Sequence, residues 1–504
     1  MSIIAEVSTL LASGWVFILA GVLFGVVAGA LPGFGASNTL IVLIPLTLAL
    51  DVDQALILVA GVFVGVRFGG AIPAILINVP GTASGAATAF EGYPMSRKGL
   101  ADQALGTALL ASAVGSIASG FLALAAAPMI ARVALKFSAP ELFALSILSI
   151  AIVGQVAGRD VVKGWFAGAA GLLIGSIGAD PMWGDERGTF GLLELFDGVP
   201  VIPALVGLYA VAEVMTAAER SLEIRLDRRL TARSTTARLR AVIDGCRFAL
   251  RHPIDLFRST AIGSFIGALP GAGANIASFL SYQQAVTFSP TQADREQFSR
   301  GNPRGIIASE AADNACASGA LVPMMTLGIP GSSSSAVMLL LMTIHGVNVG
   351  PRLFTEEPVI AYAIIGAIPL AAVFLLIAGF VLILGATRLV EIPASILMPA
   401  VAVFSLAGAY AARYFLFDVY LALAFGMIGY VMKKEGFPPQ AMLIGIILAP
   451  VVESNFFIGL RQGHGSPEIF FTRPISLGIW IFLIATTVYF SYKKRQRSTQ
   501  LVPR

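Results

Sequence analysis

Long apolar runs follow one another along the whole chain, and each run ends at charged residues, glycine or proline. A lipid bilayer accepts such runs and needs about 20 apolar residues for each helical crossing. With 57% hydrophobic and 12% charged residues, the chain carries about half the charge of an ordinary soluble domain. The alternation of apolar and polar residues that is typical of strands in a membrane β-barrel is missing. We therefore predict an all-α polytopic membrane protein with roughly ten to twelve transmembrane helices plus broken or re-entrant helices.

Basic residues are concentrated in two places. Residues 219–258 hold ten arginines against five acidic residues, and the tail at 492–504 contains four basic residues close together. Because basic loops remain in the cytoplasm, both segments are expected to face it. An arginine-rich segment beside transmembrane helices indicates a membrane-facing loop rather than a nucleic-acid site, so the lipid bilayer is expected as a partner and nucleic acid is not.

The first apolar segment, 14–28, follows an N-terminus that lacks a basic region and contains Glu6. This pattern predicts a retained membrane helix rather than a cleaved signal. The last four residues, 501–504, look like the remnant of a thrombin-type cleavage site and carry no functional argument. The two cysteines, Cys246 and Cys316, do not form a disulfide framework.

Two motifs occur twice in the same order, which predicts two homologous halves. Residues 29–36 (GALPGFGA) and 267–274 (GALPGAGA) are identical at seven of eight positions and lie 238 residues apart. Residues 69–84 and 319–334 form a second pair, 250 residues apart. The predicted organisation is an N-terminal transmembrane repeat at 1–218, a basic cytoplasmic linker at 219–258, a C-terminal transmembrane repeat at 259–491 and a cytoplasmic tail at 492–504.

Each copy of each motif contains Pro-Gly inside an apolar run. Helices are expected near 38–66, 71–90 and 315–345, but proline lacks an N–H group and glycine permits unusual backbone conformations, so these pairs should end helices within the membrane. Half-helix N-termini attract anions, and the small polar residues nearby are predicted to bind a carboxylate. Close helix packing through small residues is the alternative. The predicted substrate-binding residues are Pro32, Gly33, Gly35, Ser37, Asn38, Thr39, Asn78, Pro80, Gly81, Thr82, Ser84, Pro270, Gly271, Gly273, Asn275, Ser278, Pro330, Gly331, Ser332, Ser333 and Ser334.

Ionisable residues near the breaks are costly in a bilayer and therefore indicate function. Arg67 precedes Gly69-Gly70, and its planar guanidinium suits an anionic substrate; an interfacial arginine whose charge reaches water is the alternative. Glu310 and Asp313 lie three residues apart, on one face of a helix, and with Asn314 they are candidates for a coupling-ion site or charge relay. Their alternative role is to cap or orient that helix.

The sequence lacks the common catalytic motifs. The chain has no P-loop, H-E-x-x-H or G-x-S-x-G motif, and its three histidines have no acid or nucleophile at a useful spacing. We therefore expect no enzymatic activity, no metal cluster and no cofactor, with Na⁺ as a candidate coupling ion. The residues that are expected to be structural instead are Phe34, Phe68, Glu91, Tyr282, His345 and Glu453.

At these motifs the sequence resembles the TctA-type large membrane subunit of tripartite tricarboxylate transporters, and the similarity covers essentially the whole chain. Where the family has Pro-Glu-Ala-Ala-Asn-Asn-Ala, this chain has Ser309 and Asp313. The extra carboxylate alters any cation role carried over from that motif. The matching stretches are 29–36, 68–82, 92–95, 267–282, 309–315 and 326–332.

The resemblance implies a bacterial inner-membrane secondary transporter that imports tricarboxylates or related carboxylates and is driven by a Na⁺ or H⁺ gradient. It also implies two protein partners, a small four-helix TctB-type membrane subunit and a periplasmic TctC-type solute-binding protein. The breaks would form the central substrate site, in two halves expected to be inverted repeats with an elevator-like motion. A carboxylate channel or uniporter is the first alternative, and an intramembrane enzyme is the second.

Overall fold

The computed structural model describes residues 2–31, 34–157, 160–180, 184–219, 234–269, 273–390 and 394–500, and most of these residues are helical. Two short strands, β1 (Gly178–Ala179) and β2 (Glu186–Arg187), pair antiparallel. A 3-10 turn covers Leu193–Leu195, and a π-helical segment, Val206–Val211, joins α10 to α11. The first eleven α-helices are α1 (Ile3–Ser13), α2 (Trp15–Gly29), α3 (Ala36–Val42), α4 (Ile44–Thr47), α5 (Val52–Ile77), α6 (Gly85–Arg97), α7 (Ala101–Ala134), α8 (Ala139–Ala157), α9 (Val161–Gly175), α10 (Val201–Leu205) and α11 (Ala212–Glu219).

The second half of the chain is also helical. Its helices are α12 (Thr235–Leu250), α13 (Pro253–Ala268), α14 (Gly273–Thr287), α15 (Gln292–Glu296), α16 (Pro303–Leu327), α17 (Ser333–Ile344), α18 (Leu353–Glu356), α19 (Pro358–Val390), α20 (Ala394–Ala411), α21 (Leu416–Glu435), α22 (Pro439–Gln462), α23 (Ile469–Thr472) and α24 (Pro474–Gln500).

The predicted class, an all-α polytopic membrane protein, is confirmed. Six helices among the described residues are long and apolar enough to cross a membrane, and α1 with α2 makes a seventh if this pair, bent by 59°, is one span. The six are Val52–Ile77, Ala101–Ala134, Val201–Glu219, Pro358–Ala386, Leu416–Glu435 and Pro439–Gln462.

All four Pro-Gly motifs separate two helices, as predicted: α2 from α3, α5 from α6, α13 from α14, and α16 from α17. The helices expected at 38–66, 71–90 and 315–345 have other bounds. α5 continues through Gly69-Gly70 and Pro73, because neighbouring helices in a membrane protein compensate the hydrogen bond that a proline removes. α16 begins earlier than expected, at a cap in which the Asn302 side chain accepts from the backbone of Arg304.

The chain forms two compact units. The first contains Met1–Ala131 and Glu213–Phe415, and the second contains Arg132–Ala212 and Leu416–Arg504. Each unit therefore takes segments from both of the predicted halves. All residues predicted for the substrate and for the coupling ion belong to the first unit.

In the first unit, α2 crosses α5 and α13 crosses α16 at closely packed glycines. A Cβ atom at Gly25 would overlap the backbone of Val62, and a Cβ atom at Gly263 would overlap the backbone of Ala312. Gly25 and Gly263 lie 238 residues apart, which is the offset of the first motif pair. Val62 and Ala312 lie 250 residues apart, which is the offset of the second motif pair. The sequence repeat is therefore also a repeat of helix packing.

The helices α5 and α16 also end in the same way. Asn78 and Gly328, 250 residues apart, follow them in the left-handed conformation, with φ of 59° and 70°. Pro73 and Pro323 lie five residues before these ends. Glycine adopts positive φ without strain and asparagine tolerates it, so each helix stops sharply before its Pro-Gly motif.

The stretch predicted as a linker contains α12 and the start of α13, while its residues 220–233 lie outside the described part of the chain. α12 packs on α7: Cys246 is buried against Gly106, and Arg238 binds Asp102 over 3.0 Å. Burial raises the pKa of the Cys246 thiol to about 11. α12 has only one narrow stripe of small and apolar residues, and basic side chains cover the rest of it. For this reason its sequence resembles that of a basic loop.

Candidate functional site

The two central helices, α5 and α16, meet at an ion pair between the halves. Arg67 of α5 is 4% exposed and Asp313 of α16 is 1% exposed. The Arg67 Nη1 atom donates to Asp313 Oδ1 over 2.6 Å. Because every residue of α5 from Ala55 to Leu76 is buried, this guanidinium lies in the protein interior. Its position does not fit an interfacial arginine whose charge reaches water.

Hydroxyl groups from two of the breaks surround this ion pair. Ser84, just before α6, donates to Asp313 Oδ2 over 2.8 Å and lies 3.2 Å from the Thr82 hydroxyl. Ser334, in the first turn of α17, lies 3.5 Å from Arg67 Nη2. Arg67 Nε is buried without a hydrogen-bond partner among the described residues, so the guanidinium keeps a donor for a ligand.

The N-terminal ends of α3 and α17 meet near Arg67. Ser37 of α3 donates to the hydroxyl of Ser333 of α17 over 2.9 Å. Asn38 is 5% exposed, and its Oδ1 atom has no hydrogen-bond partner within the described ranges. A buried polar atom without a partner costs free energy, so this amide is placed to bind a polar ligand.

The serines that follow Pro330 have different roles. Ser332 caps α17 by accepting from the Ser335 backbone over 3.2 Å, while the Ser335 side chain accepts from the Ser332 backbone over 2.8 Å. This capping box leaves Ser333 and Ser334 to face α3 and Arg67. Ser332 therefore supports the site by shaping the helix end.

A second carboxylate lies one turn before Asp313. Glu310 is 1% exposed and accepts hydrogen bonds from Thr88 of α6 over 2.5 Å and Ser112 of α7 over 2.9 Å. Thr88 also lies 2.8 Å from the Ser309 hydroxyl. In the described part of the chain, Glu310 takes part in no ion pair, and the side chains that it contacts through hydrogen bonds are hydroxyls.

Three of these residues, Thr88, Ser112 and Ser309, were not predicted as site residues. Thr88 lies four residues after Ser84, and Ser112 lies in the apolar run of α7. Only the folded packing of α6 and α7 brings both to Glu310. Asn314, a predicted residue, lies beside the same cluster: Ser116 donates to its Oδ1 atom over 3.4 Å. A hydroxyl within an apolar helix was the only available signal.

Other predicted residues lie elsewhere in the breaks. Thr39 bonds within its own turn, to the carbonyl of Gly35 over 3.2 Å, and Ser278 donates to the carbonyl of Ser309 over 3.3 Å. Asn78 and Asn275 have exposed side chains. Pro32, Gly33, Pro270 and Gly271 lie outside the described residues.

The glycines and prolines of the breaks act through the backbone. A Cβ atom at Gly81 would overlap the carbonyl oxygen of Gly29, and Gly331 packs near the carbonyl of Gly267. Gly273 has a φ of 68° at the start of α14. Pro80 and Pro330 lie between the paired helices.

Glu91 holds a loop in place. Its carboxylate accepts from the backbone N–H groups of Ser299, Gly301 and Asn302, over 2.5 to 2.8 Å, and from the hydroxyl of Tyr282 over 2.6 Å. Four donors on one fully buried carboxylate connect α6 to α14 and to the segment before α16. We name these donors and Glu91 the Glu91 cradle.

The remaining weak candidates also lie away from Arg67 or pack in the core. Phe34 and Phe68 are buried core residues, and His345 ends α17. Glu453 belongs to the second unit, where it binds Arg187.

The potential ligand atoms around Arg67 and Glu310 are carboxylate, hydroxyl and amide oxygens. No group of three or more His, Cys, Asp and Glu side chains suited to a metal ion occurs in the described ranges. The site is therefore chemically suited to an anion at the guanidinium and to a proton or a hard monovalent cation at the carboxylates.

Interrupted helices that bring polar and charged groups to the centre of an apolar protein are the architecture of membrane transport proteins. The chain belongs to the tripartite tricarboxylate transporter TctA family, whose model matches residues 15–444.

Two relatives from Agrobacterium vitis are similar to this chain. One, described as an uncharacterized 52.8 kDa protein in the TAR-I ttuC' 3'region, is 34% identical over 94% of this chain and 92% of its own length. The other, an uncharacterized protein in the TAR-II ttuC' 3'region, is 31% identical over 43% of this chain and 88% of its own length. No solved structure matches the chain.

Proposed function

We propose that this chain is the large transmembrane subunit of a binding-protein-dependent secondary transporter that imports tricarboxylates or related carboxylates. Family membership supports the class. The observation that carries the assignment is the buried guanidinium of Arg67, with a spare donor, at the junction of two interrupted helices. A buried arginine of this kind suits a carboxylate better than a neutral solute.

In this proposal, a substrate carboxylate binds between the α3 and α17 ends and Arg67. Ser37, Asn38, Ser333 and Ser334 supply hydroxyl and amide groups, and the N-terminal dipole of α17 adds partial positive charge. Asp313 already neutralises Arg67, so a substrate has to share or replace it as the partner of the guanidinium. Tight binding of an anion is thus avoided, which allows release on the other side.

Import of an anion also needs a driving force. The inside-negative membrane potential opposes anion entry by about 2.3 kcal/mol per charge per 100 mV. Co-transport of Na⁺ or H⁺ offsets this term, and Glu310 and Asp313 lie where such a cation would act on the substrate site. This arrangement supports secondary, gradient-driven import.

We further propose alternating access by an elevator-like movement of the site-bearing element relative to a scaffold, with the two halves as inverted repeats. The matched crossings and matched ends of α5 and α16 support a duplicated architecture. The basic residues of the 219–258 segment and of the tail support their placement in the cytoplasm. Membership of the family supports a TctB-type membrane subunit and a TctC-type binding protein as partners, and a bacterial inner-membrane location. It also supports a transporter rather than an enzyme.

The first experiment is uptake by proteoliposomes that contain this chain with its TctB-type partner. Labelled citrate and other carboxylates are supplied outside with the cognate binding protein, under an imposed Na⁺ or pH gradient. Accumulation that needs both the binding protein and a gradient is the expected result. Carboxylate flux without either one would indicate a channel or uniporter, and turnover of a lipid or peptide without flux would indicate an enzyme.

A pair of variants tests the site in the same assay. Asn38→Ala removes a buried amide that would bind the substrate anion, and uptake affinity should fall about tenfold to a hundredfold, as for a lost hydrogen bond to a charged group. Asn348→Ala changes an exposed amide in the loop after α17 and is the matched control. Equal uptake by both variants would remove Asn38 from the site.

A further inference from the structure

The environment of Glu310 differs from that of every other buried charge near the substrate site. Arg67 and Asp313 neutralise each other at 2.6 Å. Glu91 is held by backbone donors in the Glu91 cradle. Glu310 has neither a cationic partner among the described residues nor backbone donors, although it is 1% exposed. A buried carboxylate in this position is costly when ionised, so it favours a neutral state.

The charges that face Glu310 are few and come from two helices. Asp313, on α16 itself, repels a negative charge on Glu310, whereas Arg67 of α5 attracts it. Because Arg67 bonds directly to Asp313, its charge is largely compensated there. From α6 and α7, the groups in contact are the uncharged hydroxyls of Thr88 and Ser112. One negative charge therefore remains in excess when Glu310 is ionised.

A count of hydrogens in this cluster shows where a proton fits. The Ser309 hydroxyl is within donating distance of the carbonyls of Gly305 and Ile306, at 3.1 and 3.2 Å. If Ser309 donates to one of these carbonyls, its hydroxyl oxygen can only accept from Thr88. The 2.8 Å contact between the two hydroxyls then uses the hydroxyl proton of Thr88. Because Thr88 has no second proton to donate, Glu310 has to be the donor in its contact with Thr88, and it must carry a proton to do so. A protonated Glu310 completes this chain of donors.

The ionised state is satisfied by rotating two hydroxyls. Thr88 then donates to Glu310, and Ser309 turns from its backbone carbonyl to Thr88, while Ser112 donates to the other carboxylate oxygen at 2.9 Å. Neither hydrogen-bond arrangement requires a heavy atom to move. The cluster is thus suited to gain and lose one proton without a change in packing.

The same geometry accepts a proton more readily than it accepts Na⁺. Oxygen ligands around a metal cation point their lone pairs at a shared centre and their hydroxyl protons away from it. Here the oxygens of Thr88, Ser309 and Glu310 bond directly to one another at 2.5 to 2.8 Å. Na⁺ would have to separate these oxygens, whereas a proton fits between two of them without moving either.

We propose that Glu310 is the group that takes up and releases the coupling proton, a step that rests on the proposed function as a carboxylate importer. One proton from water joins the carboxylate on the outer side, crosses with the substrate as the neutral acid, and returns to water inside. The proton is assigned to Glu310 and not to Asp313, because Asp313 already has Arg67 as its charged partner at 2.6 Å. Glu310 is therefore a proton-binding residue, and Thr88 and Ser112 are positioning residues.

The test uses the reconstituted complex and two measurements. The first is exchange of labelled for unlabelled substrate at equal pH on both sides, over a range of pH. The second is accumulation under an inward proton gradient, with a pH-sensitive dye that records proton movement. Wild-type protein should accumulate substrate with accompanying proton entry. Glu310→Gln should reach only the substrate level found without a gradient, and its exchange rate should no longer change with pH.

Glu91→Gln is the matched control, since it makes the same chemical change at another fully buried carboxylate of the first unit. Any transport that this variant retains should keep the pH dependence and the proton entry of the wild type. Glu310→Asp keeps an ionisable group and should shift the pH dependence without abolishing proton entry. This second variant remains informative if Glu310→Gln fails to fold.

Several results would overturn the proposal. Glu310→Gln that still accumulates substrate under a proton gradient would exclude Glu310 as the carrier. Wild-type accumulation that follows a Na⁺ gradient with no proton movement would exclude the proton. If wild-type protein exchanges substrate normally, these results contradict only the role of Glu310 and leave the proposed function in place. If it neither exchanges nor accumulates any carboxylate, the proposed function fails with it.

Discussion

At the scale of single residues, the Arg67–Asp313 ion pair is expected to contribute both to stability and to the proposed recognition of the substrate. Replacing Arg67 by Met leaves Asp313 buried without its cation, and the expected loss is about 3 to 5 kcal/mol of unfolding free energy. Replacing both residues, with Arg67→Met and Asp313→Leu, removes the uncompensated charge and should recover most of that loss. The measurement is thermal unfolding of the detergent-solubilised protein.

Uptake separates the two roles of this pair. The double variant should remain inactive even when it is as stable as the wild type, because it lacks the guanidinium that is proposed to bind the substrate. Transport by the double variant would assign Arg67 a purely structural role. If the double variant is no more stable than Arg67→Met, the pair also stabilises the protein through its hydrogen bonds to Ser84 and Ser334.

The sequence could predict which residue types are needed at this site but not all of their partners. Arg67, Glu310 and Asp313 are recognisable because ionisable groups are rare in apolar helices. Thr88 and Ser112 are not recognisable, because a hydroxyl in a membrane helix commonly serves packing alone. Only the folded positions of α6 and α7 show that both face the Glu310 carboxylate.

At the scale of the helices, close approach depends on glycine. A Cβ atom at Gly65 of α5 would overlap the carbonyl oxygen of Val22 in α2. Gly65→Ala should therefore force the two helices apart and cost about 1 to 3 kcal/mol, as overpacked interiors do. Gly478→Ala in α24 is the control, since its Cβ would meet no atom within 4 Å. The comparison is the midpoint of thermal unfolding in detergent.

A lowered midpoint for Gly65→Ala and an unchanged or raised midpoint for Gly478→Ala are expected, since alanine favours a helix more than glycine does. Equal midpoints would show that α2 and α5 adjust to the added methyl group at little cost.

The helix breaks were predictable because they depend on local backbone chemistry. Proline and glycine act within a few residues, so the motifs at 80–81 and 330–331 indicate where helices end whatever their neighbours are. The course of α12 was not predictable in this way. Its apolar stripe is narrow, and its helical packing depends on Gly106 and Asp102 of α7.

At the scale of the whole molecule, both compact units are assembled from both halves of the chain. Neither half alone therefore contains a complete unit. A chain cut within 220–233, with the two pieces expressed together, should still form one complex, because the pieces pack through the α5–α16 contacts around Arg67 and Asp313. Co-purification through a tag on one piece is the measurement.

Each piece expressed alone is the control for this experiment and should aggregate or be degraded. A single piece that is monodisperse and as heat-stable as the intact chain would show that a half folds independently.

The ion pair at the centre of the first unit also limits how a duplicated protein of this kind can have arisen. The offset of 250 residues takes Arg67 to Ala317, and it relates Glu310 and Asp313 to Ala60 and Phe63. Two copies of the first half would thus bring together two guanidinium groups, and two copies of the second half would bring together four carboxylates. A symmetric ancestor with either charge set would have repelled itself at its own centre. Opposite charges therefore had to be acquired by the two copies after they began to differ, so the symmetry of the scaffold is older than the chemistry of its site.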